Sequence, residues 1–84
     1  MKIVTIYTGP LCTFCAAAKK LLARNNAEYK EINIATVDGA MEEMITKANG
    51  KRTVPQIFFD DQHIGGYDEV RALEKENKLQ ELLK

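Results

Sequence analysis

The spacing of apolar residues changes within the first 25 positions of the chain. Met1–Thr8 carries an apolar, β-branched run that is typical of a buried strand. From Thr13 to about Asn25 the apolar positions recur at helical spacing and place Cys15, Ala18 and Leu22 on one face. The chain therefore begins with a strand, a short loop and a helix.

A second strand and a second helix follow. Glu28 to Ile34 alternates in character, which predicts a strand that is not buried on both faces. We expect Asp38 to cap the next helix and Gly50 to end it. Four apolar residues of this helix recur at helical spacing and are assigned to the core: Met41, Met44, Ile45 and Ala48.

The last third of the chain predicts a hairpin and two helices. Gln56–Phe59 is a strand, and His63–Ile64 returns beside it with His63 exposed. Gly65–Gly66 breaks the chain before a helix from Asp68 to Lys75, and Asn77 with Gln80 caps a last short helix. The apolar positions of these two helices are predicted to be buried: Val70, Leu73, Leu79, Leu82 and Leu83.

The predicted order of elements is β-α-β-α-β-β-α, followed by the terminal helical turn. Alternating strands and helices imply a parallel pair joined by a crossover, and the hairpin adds an antiparallel pair. We therefore predict an α/β fold with a mixed four-stranded sheet flanked by helices. Ligands of open α/β sheets bind at the carboxyl ends of strands, where the first strand leads into Cys12.

Length and charge limit the possible functions. The chain has 84 residues, enough for a single domain, residues 1–84, with one modest core. Its 12 basic and 12 acidic residues balance, so no basic field is present to hold nucleic acid or an anionic membrane. No apolar stretch approaches the roughly 20 residues of a membrane helix. We therefore expect a cytoplasmic monomer with a small, nearly neutral partner.

The only two cysteines stand three positions apart in Cys12-Thr13-Phe14-Cys15. A cysteine just before a helix faces unpaired N–H groups and the positive end of the helix dipole, which favour a thiolate. Cys12 is therefore the predicted nucleophile. Cys15 lies almost one turn into the helix, near enough to form a disulfide and shielded by the domain, so it is the predicted resolving thiol.

Two other roles for the cysteines are less favoured. A structural disulfide would close too short a loop to restrict the unfolded chain much, and cytoplasmic thiols are kept reduced. A structural zinc site usually needs four ligands, and His63 is the only other soft candidate. Redox chemistry is the better interpretation of the pair.

Two later segments carry groups suited to binding a small peptide. A cis bond before Pro55 would leave the Val54 backbone free to pair with an extended ligand, although a trans proline at a strand start fits the residues equally well. Gly65–Gly66 leads into a helix whose first N–H groups can bind a carboxylate, and Asp68 can bind an ammonium. A plain loop and a helix cap are the alternatives there.

The whole chain resembles a glutaredoxin. The resemblance rests on the C-x-x-C pair after Tyr7-Thr8, on Lys51-Arg52-Thr53-Val54-Pro55 and on Gly65-Gly66-Tyr67-Asp68. It implies a thioredoxin-like fold, a cis Pro55 beside the cysteines, and glutathione as co-substrate. It also implies a set of residues that contact glutathione: Phe14, Lys51, Thr53, Val54, Pro55, Gly66, Tyr67 and Asp68.

The chain departs from the family at three places. The family often has a lysine shortly before its first cysteine, whereas Thr8-Gly9-Pro10-Leu11 carries no cation. Lys51 or Arg52 is then the candidate for contacting the glycine carboxylate of glutathione. Thr13 and Phe14 replace a common proline and tyrosine, and Tyr67 replaces a frequent serine or cysteine.

The resemblance implies a glutathione-dependent thiol–disulfide oxidoreductase, whose partners are glutathione and glutathionylated or disulfide-bonded proteins. One alternative is a redoxin that depends on thioredoxin reductase, but such proteins carry a Trp-containing segment and this chain has no Trp. Another alternative is a glutathione-assisted [2Fe-2S] carrier in which each of two subunits supplies Cys12 as a cluster ligand. No other metal site is expected.

Overall fold

The computed structural model describes residues 1–84. The elements in chain order are β1 (Val4–Thr8), α1 (Thr13–Arg24), β2 (Tyr29–Asn33), α2 (Ala40–Lys47), β3 (Gln56–Phe59), β4 (Gln62–Gly65), α3 (Tyr67–Lys75) and α4 (Leu79–Leu83). The strands form one sheet in the order β2-β1-β3-β4. β1 and β2 are parallel, whereas β3 is antiparallel to both β1 and β4. The predicted mixed four-stranded sheet is confirmed.

The sheet separates two apolar clusters, because alternate residues of a strand face opposite sides. The larger cluster joins the sheet to helices α1, α3 and α4, and it consists of Val4, Ile6, Ala18, Leu21, Leu22, Ala27, Ile57, Phe59, Val70, Leu79 and Leu83. The smaller cluster joins the sheet to α2, and its buried members are Tyr7, Met44, Ala48 and Phe58. The predicted buried face of α1 is confirmed, since Cys15, Ala18 and Leu22 are all buried.

Helix α2 packs on the sheet through Ala40 and Met44, and Ala48, which directly follows the helix, continues the same buried face. Met41 lies one position further round the helix and is 37% exposed, so its assignment to the core is wrong. The Tyr7 hydroxyl donates a hydrogen bond to Glu43 Oε1 at 2.8 Å and ties α2 to β1. Burial raises the pKa of Tyr7, and the bond to Glu43 raises it further.

Two predicted element starts are wrong. β1 begins at Val4 and not at Met1, and the side chains of Met1 and Ile3 are exposed. Asp38 does not cap α2, because Gly39 directly precedes the helix with a φ of +77° and turns the chain into it. Such a positive φ suits glycine, which has no Cβ.

The predicted cap of α4 is also wrong. Lys78 is the residue that precedes the helix, and Asn77 before it has a φ of +59°. The Gln80 side chain reaches across to α1 and donates to the Asn25 carbonyl oxygen at 2.8 Å. A contact between distant parts of the chain therefore replaces the local cap.

Glu74 joins the carboxyl end of α1 to α3. Its carboxylate accepts hydrogen bonds from Arg24 at 2.7 and 2.9 Å, from Asn25 at 2.7 Å and from Arg71 at 3.1 Å. The Arg24 bonds, and then the Asn25 bond, lower the pKa of Glu74 from 4.5 to about 2. Because the folded-state pKa is lowered, this stabilisation is present above pH 4.5 and is lost as the pH falls toward 2.

We predict that Glu74→Gln lowers the free energy of unfolding at pH 7 by about 1–2 kcal/mol, because partly exposed charge-assisted bonds are lost. Thermal unfolding measures this as a fall in melting temperature of about 4–8 °C per kcal/mol. The difference from the parent should shrink as the pH falls from 4.5 toward 2. Glu81→Gln, at an exposed carboxylate without an ion-pair partner, is the control. Equal stability of parent and Glu74→Gln at pH 7 would contradict the stabilising role assigned to the Glu74 carboxylate.

Candidate active site

Cys12 and Cys15 lie at the start of α1, after the carboxyl end of β1. Their sulfur atoms are bonded to each other, and their Cα atoms are 5.2 Å apart. Cys12 is the residue that precedes the helix, and its sulfur accepts a hydrogen bond from the Cys15 N–H at 3.1 Å. Cys12 is half-buried, whereas Cys15 is only 2% exposed. An incoming sulfur can therefore approach Cys12 far more easily than Cys15.

The loop before β3 faces these cysteines. The Val54–Pro55 peptide bond is cis, in agreement with the resemblance. The Cys12 sulfur lies 3.8 Å from the Val54 carbonyl oxygen. The Val54 N–H donates no hydrogen bond within the chain, and its carbonyl accepts none from another backbone group. Val54 therefore offers a free donor and a free acceptor beside the cysteines.

The turn before α3 brings a helix N-terminus to the same place. Gly65 has a φ of +128°, and a Cβ added there would collide with the Glu69 side chain, so the turn requires glycine. The Glu69 carboxylate accepts a hydrogen bond from the Gly66 N–H. The carboxylate that accepts a hydrogen bond at the start of the helix is therefore that of Glu69 and not that of Asp68. Asp68 lies in the first turn, is exposed and has no ion-pair partner.

These three segments enclose a groove of about 190 Å³. It is lined by Phe14, Thr53, Val54, Pro55, Gly66, Tyr67, Asp68 and Glu69. All of these except Glu69 are among the residues predicted to contact glutathione. Glu69 was missed, because the capping-box pattern that would mark it has Ser, Thr, Asp or Asn before the helix, and Gly66 stands there instead. Lys51 is exposed and does not line the groove, so its contact stays a prediction.

A second cavity, of about 230 Å³, lies on the α2 face of the sheet. Its walls are Thr5, Tyr7, Lys47, Phe58, Asp60 and Asp61. It contains none of the residues predicted to contact glutathione. The smaller groove is therefore the candidate binding site.

A family model described as Glutaredoxin matches residues 4–64. The chain belongs to the glutaredoxin family. Glutaredoxin 3 of Escherichia coli is 45% identical over 84 residues, the whole of both chains. A solution structure of glutaredoxin from Brucella melitensis is 48% identical, with a TM-score of 0.85 over all of this chain and 90% of that one. A buckwheat glutaredoxin–glutathione complex is 28% identical, with a TM-score of 0.85 over 98% of this chain and 76% of that one.

This glutaredoxin accordingly has the predicted thioredoxin-like fold and is a thiol–disulfide oxidoreductase. None of its helices combines the length and the apolar character needed to cross a membrane. No group of three or more His, Cys, Asp or Glu side chains could hold a metal ion. Binding of a [2Fe-2S] cluster by Cys12, which requires a second subunit, stays a prediction.

The aromatic residues of this glutaredoxin link two walls of the groove. The rings of Phe14 in α1 and Tyr67 in α3 are 5.7 Å apart, within the range of a favourable aromatic pair. Phe14 and Tyr67 both line the groove, so this pair joins its α1 side to its α3 side.

We predict that reduced Cys12 remains a thiolate at lower pH than an ordinary cysteine, because the helix N-terminus and the Cys15 N–H stabilise its negative charge. Iodoacetamide should therefore alkylate Cys12 much faster at pH 6 in the reduced native protein than in the same protein unfolded in urea. Peptide mass mapping identifies the modified cysteine. Equal rates in the two states would contradict the proposed stabilisation.

Proposed function

We propose that this glutaredoxin uses glutathione to reduce protein–glutathione mixed disulfides and protein disulfides. The observation that supports this most directly is the unused backbone of Val54 beside the cysteines, since it can pair with an extended peptide as a further strand would. Glutathione is such a peptide, with a sulfur at its centre and an amino acid head at one end.

The groove also matches the γ-glutamyl end of glutathione. The first N–H groups of α3 have no acceptor within the helix and can bind the γ-glutamyl carboxylate. The free carboxylate of Asp68 in the same turn can bind the ammonium group. The glycine end would extend toward Lys51 or Arg52, both of which are exposed. One glutathione molecule would thus contact both the start of α3 and the loop before β3.

For a mixed disulfide, the Cys12 thiolate attacks the glutathionyl sulfur. The bond between that sulfur and the protein sulfur breaks, and the protein leaves as a thiolate that takes a proton from water. Cys12 then carries glutathione in the groove. A second glutathione thiolate attacks the glutathionyl sulfur, which releases glutathione disulfide and regenerates the Cys12 thiolate.

For a protein disulfide, Cys12 forms a mixed disulfide with the protein, and Cys15 attacks the Cys12 sulfur. The protein leaves as a dithiol, and Cys12 and Cys15 are joined by the bond seen in this structure. Two glutathione molecules then reduce that bond. This cycle needs a reducing compartment, which supports the proposal of a cytoplasmic enzyme, and it needs one chain only, which supports the proposal of a monomer.

We predict that Cys12→Ser abolishes turnover, because it removes the attacking sulfur. Cys15→Ser should keep reduction of a glutathionylated peptide and lose most reduction of a protein disulfide. Both activities are measured with glutathione, glutathione reductase and NADPH. Equal loss on the glutathionylated peptide in the two variants would contradict the assignment of roles.

We predict that Asp68→Asn weakens use of a glutathionylated peptide about tenfold or more, because an ion pair worth about 1–3 kcal/mol is lost. Direct thiol–disulfide exchange with hydroxyethyl disulfide, measured before glutathione is added, should hardly change. Asp61→Asn, at an exposed carboxylate outside the groove, is the matched control. If Asp68→Asn keeps parental activity on the glutathionylated peptide, Asp68 does not bind glutathione.

The source of electrons separates this function from its main alternative. The parent protein should turn over with glutathione and glutathione reductase and fail to do so with thioredoxin reductase. The opposite result would replace glutathione with thioredoxin reductase as the physiological reductant.

A further inference from the structure

Two polar side chains lie behind the Thr53–Val54 segment, on the face of the sheet opposite α1. Gln56, which is 2% exposed, donates from Nε2 to the Thr53 carbonyl oxygen at 2.9 Å and to the Thr53 hydroxyl oxygen at 3.2 Å. Its Oε1 lies 2.7 Å from Nε2 of His63 in β4. His63 is half-buried and stacks on Phe58 with ring centroids 4.9 Å apart, so its predicted exposure is wrong.

The direction of these hydrogen bonds follows from the atoms involved. The Thr53 carbonyl oxygen can only accept, so the amide nitrogen of Gln56 must face it and the amide oxygen must face His63. That oxygen can also only accept, so His63 Nε2 must carry the proton. His63 therefore donates to Gln56, and Gln56 donates to Thr53.

This chain of bonds fixes the orientation of the next N–H group. The Thr53–Val54 peptide bond is not among the cis bonds of the structure, and the C=O and N–H of a trans peptide point in opposite directions. Because Gln56 holds the Thr53 carbonyl inward, the Val54 N–H is turned the other way. This is the N–H that donates no hydrogen bond within the chain.

We propose that His63 and Gln56 are positioning residues for ligand recognition. They hold the Thr53–Val54 peptide plane so that the Val54 N–H faces the peptide backbone of glutathione. The role rests on the proposed function, because it concerns the backbone that pairs with glutathione. Neither residue lines the groove, and neither contacts the cysteine sulfurs.

Two variants separate this role from general packing. His63→Phe keeps a ring against Phe58 and removes the donor to Gln56, while Gln56→Met keeps a long side chain and removes both bonds to Thr53. Tyr7→Phe is the matched control, because it removes the hydrogen bond to Glu43 on the same face of the sheet without affecting Thr53.

In both test variants the KM for a glutathionylated peptide should rise about three- to tenfold, as expected for the loss of one well-oriented hydrogen bond to the ligand. The kcat at saturation should stay within about twofold of the parent, because the interaction is equally present in the ground state and the transition state. Tyr7→Phe should leave the KM unchanged. If the parent uses glutathione and both test variants keep its KM, the positioning role is overturned.

A measurement without ligand keeps the inference testable if the proposed function fails. In ¹⁵N NMR spectra of the ligand-free protein, the Val54 amide resonance reports the orientation of the Thr53–Val54 peptide plane. His63→Phe should displace the Val54 amide resonance, whereas Tyr7→Phe should not. An unmoved Val54 resonance in His63→Phe overturns the role whether or not the parent uses glutathione. Should Gln56→Met fail to fold, His63→Phe decides both the kinetic and the NMR comparison.

Discussion

The antiparallel pairing of β1 with β3 is the constraint that creates the site. Tyr7 pairs with Gln56, so β1 ends where β3 begins. The loop after β1 carries Cys12 and the loop before β3 carries Val54, and the pairing brings both loops to one edge of the sheet. The two loops lie close together, since a Cβ added to Gly9 would lie 3.2 Å from Val54 Cγ2. Strand register thus sets the separation between the Cys12 sulfur and the Val54 carbonyl oxygen.

Strand pairing in the β3–β4 hairpin likewise positions the third segment of the groove, the turn before α3. β4 runs back beside β3 and ends at Gly65, which pairs with Ile57 near the start of β3. The chain turns there into α3 so tightly that a Cβ on Gly66 would lie 3.3 Å from the Pro55 carbonyl oxygen. The N-terminus of α3 is consequently held against the loop before β3. All three walls of the groove depend on the position of β3, the strand that contacts both β1 and β4.

How much could be predicted from the sequence depends on the range of the interactions involved. The strands and the buried face of α1 follow from local periodicity, and most of the groove wall lies in contiguous motifs. The hydrogen bond between Gln56 and His63 has no local signature, because it depends on strand register and on an irregularity in pairing between Ile57 and Phe58. The contact of Gln80 with Asn25 likewise depends on how α4 packs, which no pattern within α4 fixes.

The proposed recognition relies mainly on backbone groups, and this explains why the chain can depart from the family pattern at the groove. Replacing the common residues by Phe14 and Tyr67 changes side chains but removes neither the free N–H and C=O of Val54 nor the first N–H groups of α3. Groups of this kind are lost only when the backbone moves. The residues with least freedom to vary should therefore be those that fix this backbone in place: Gly65, Glu69, Gln56 and His63.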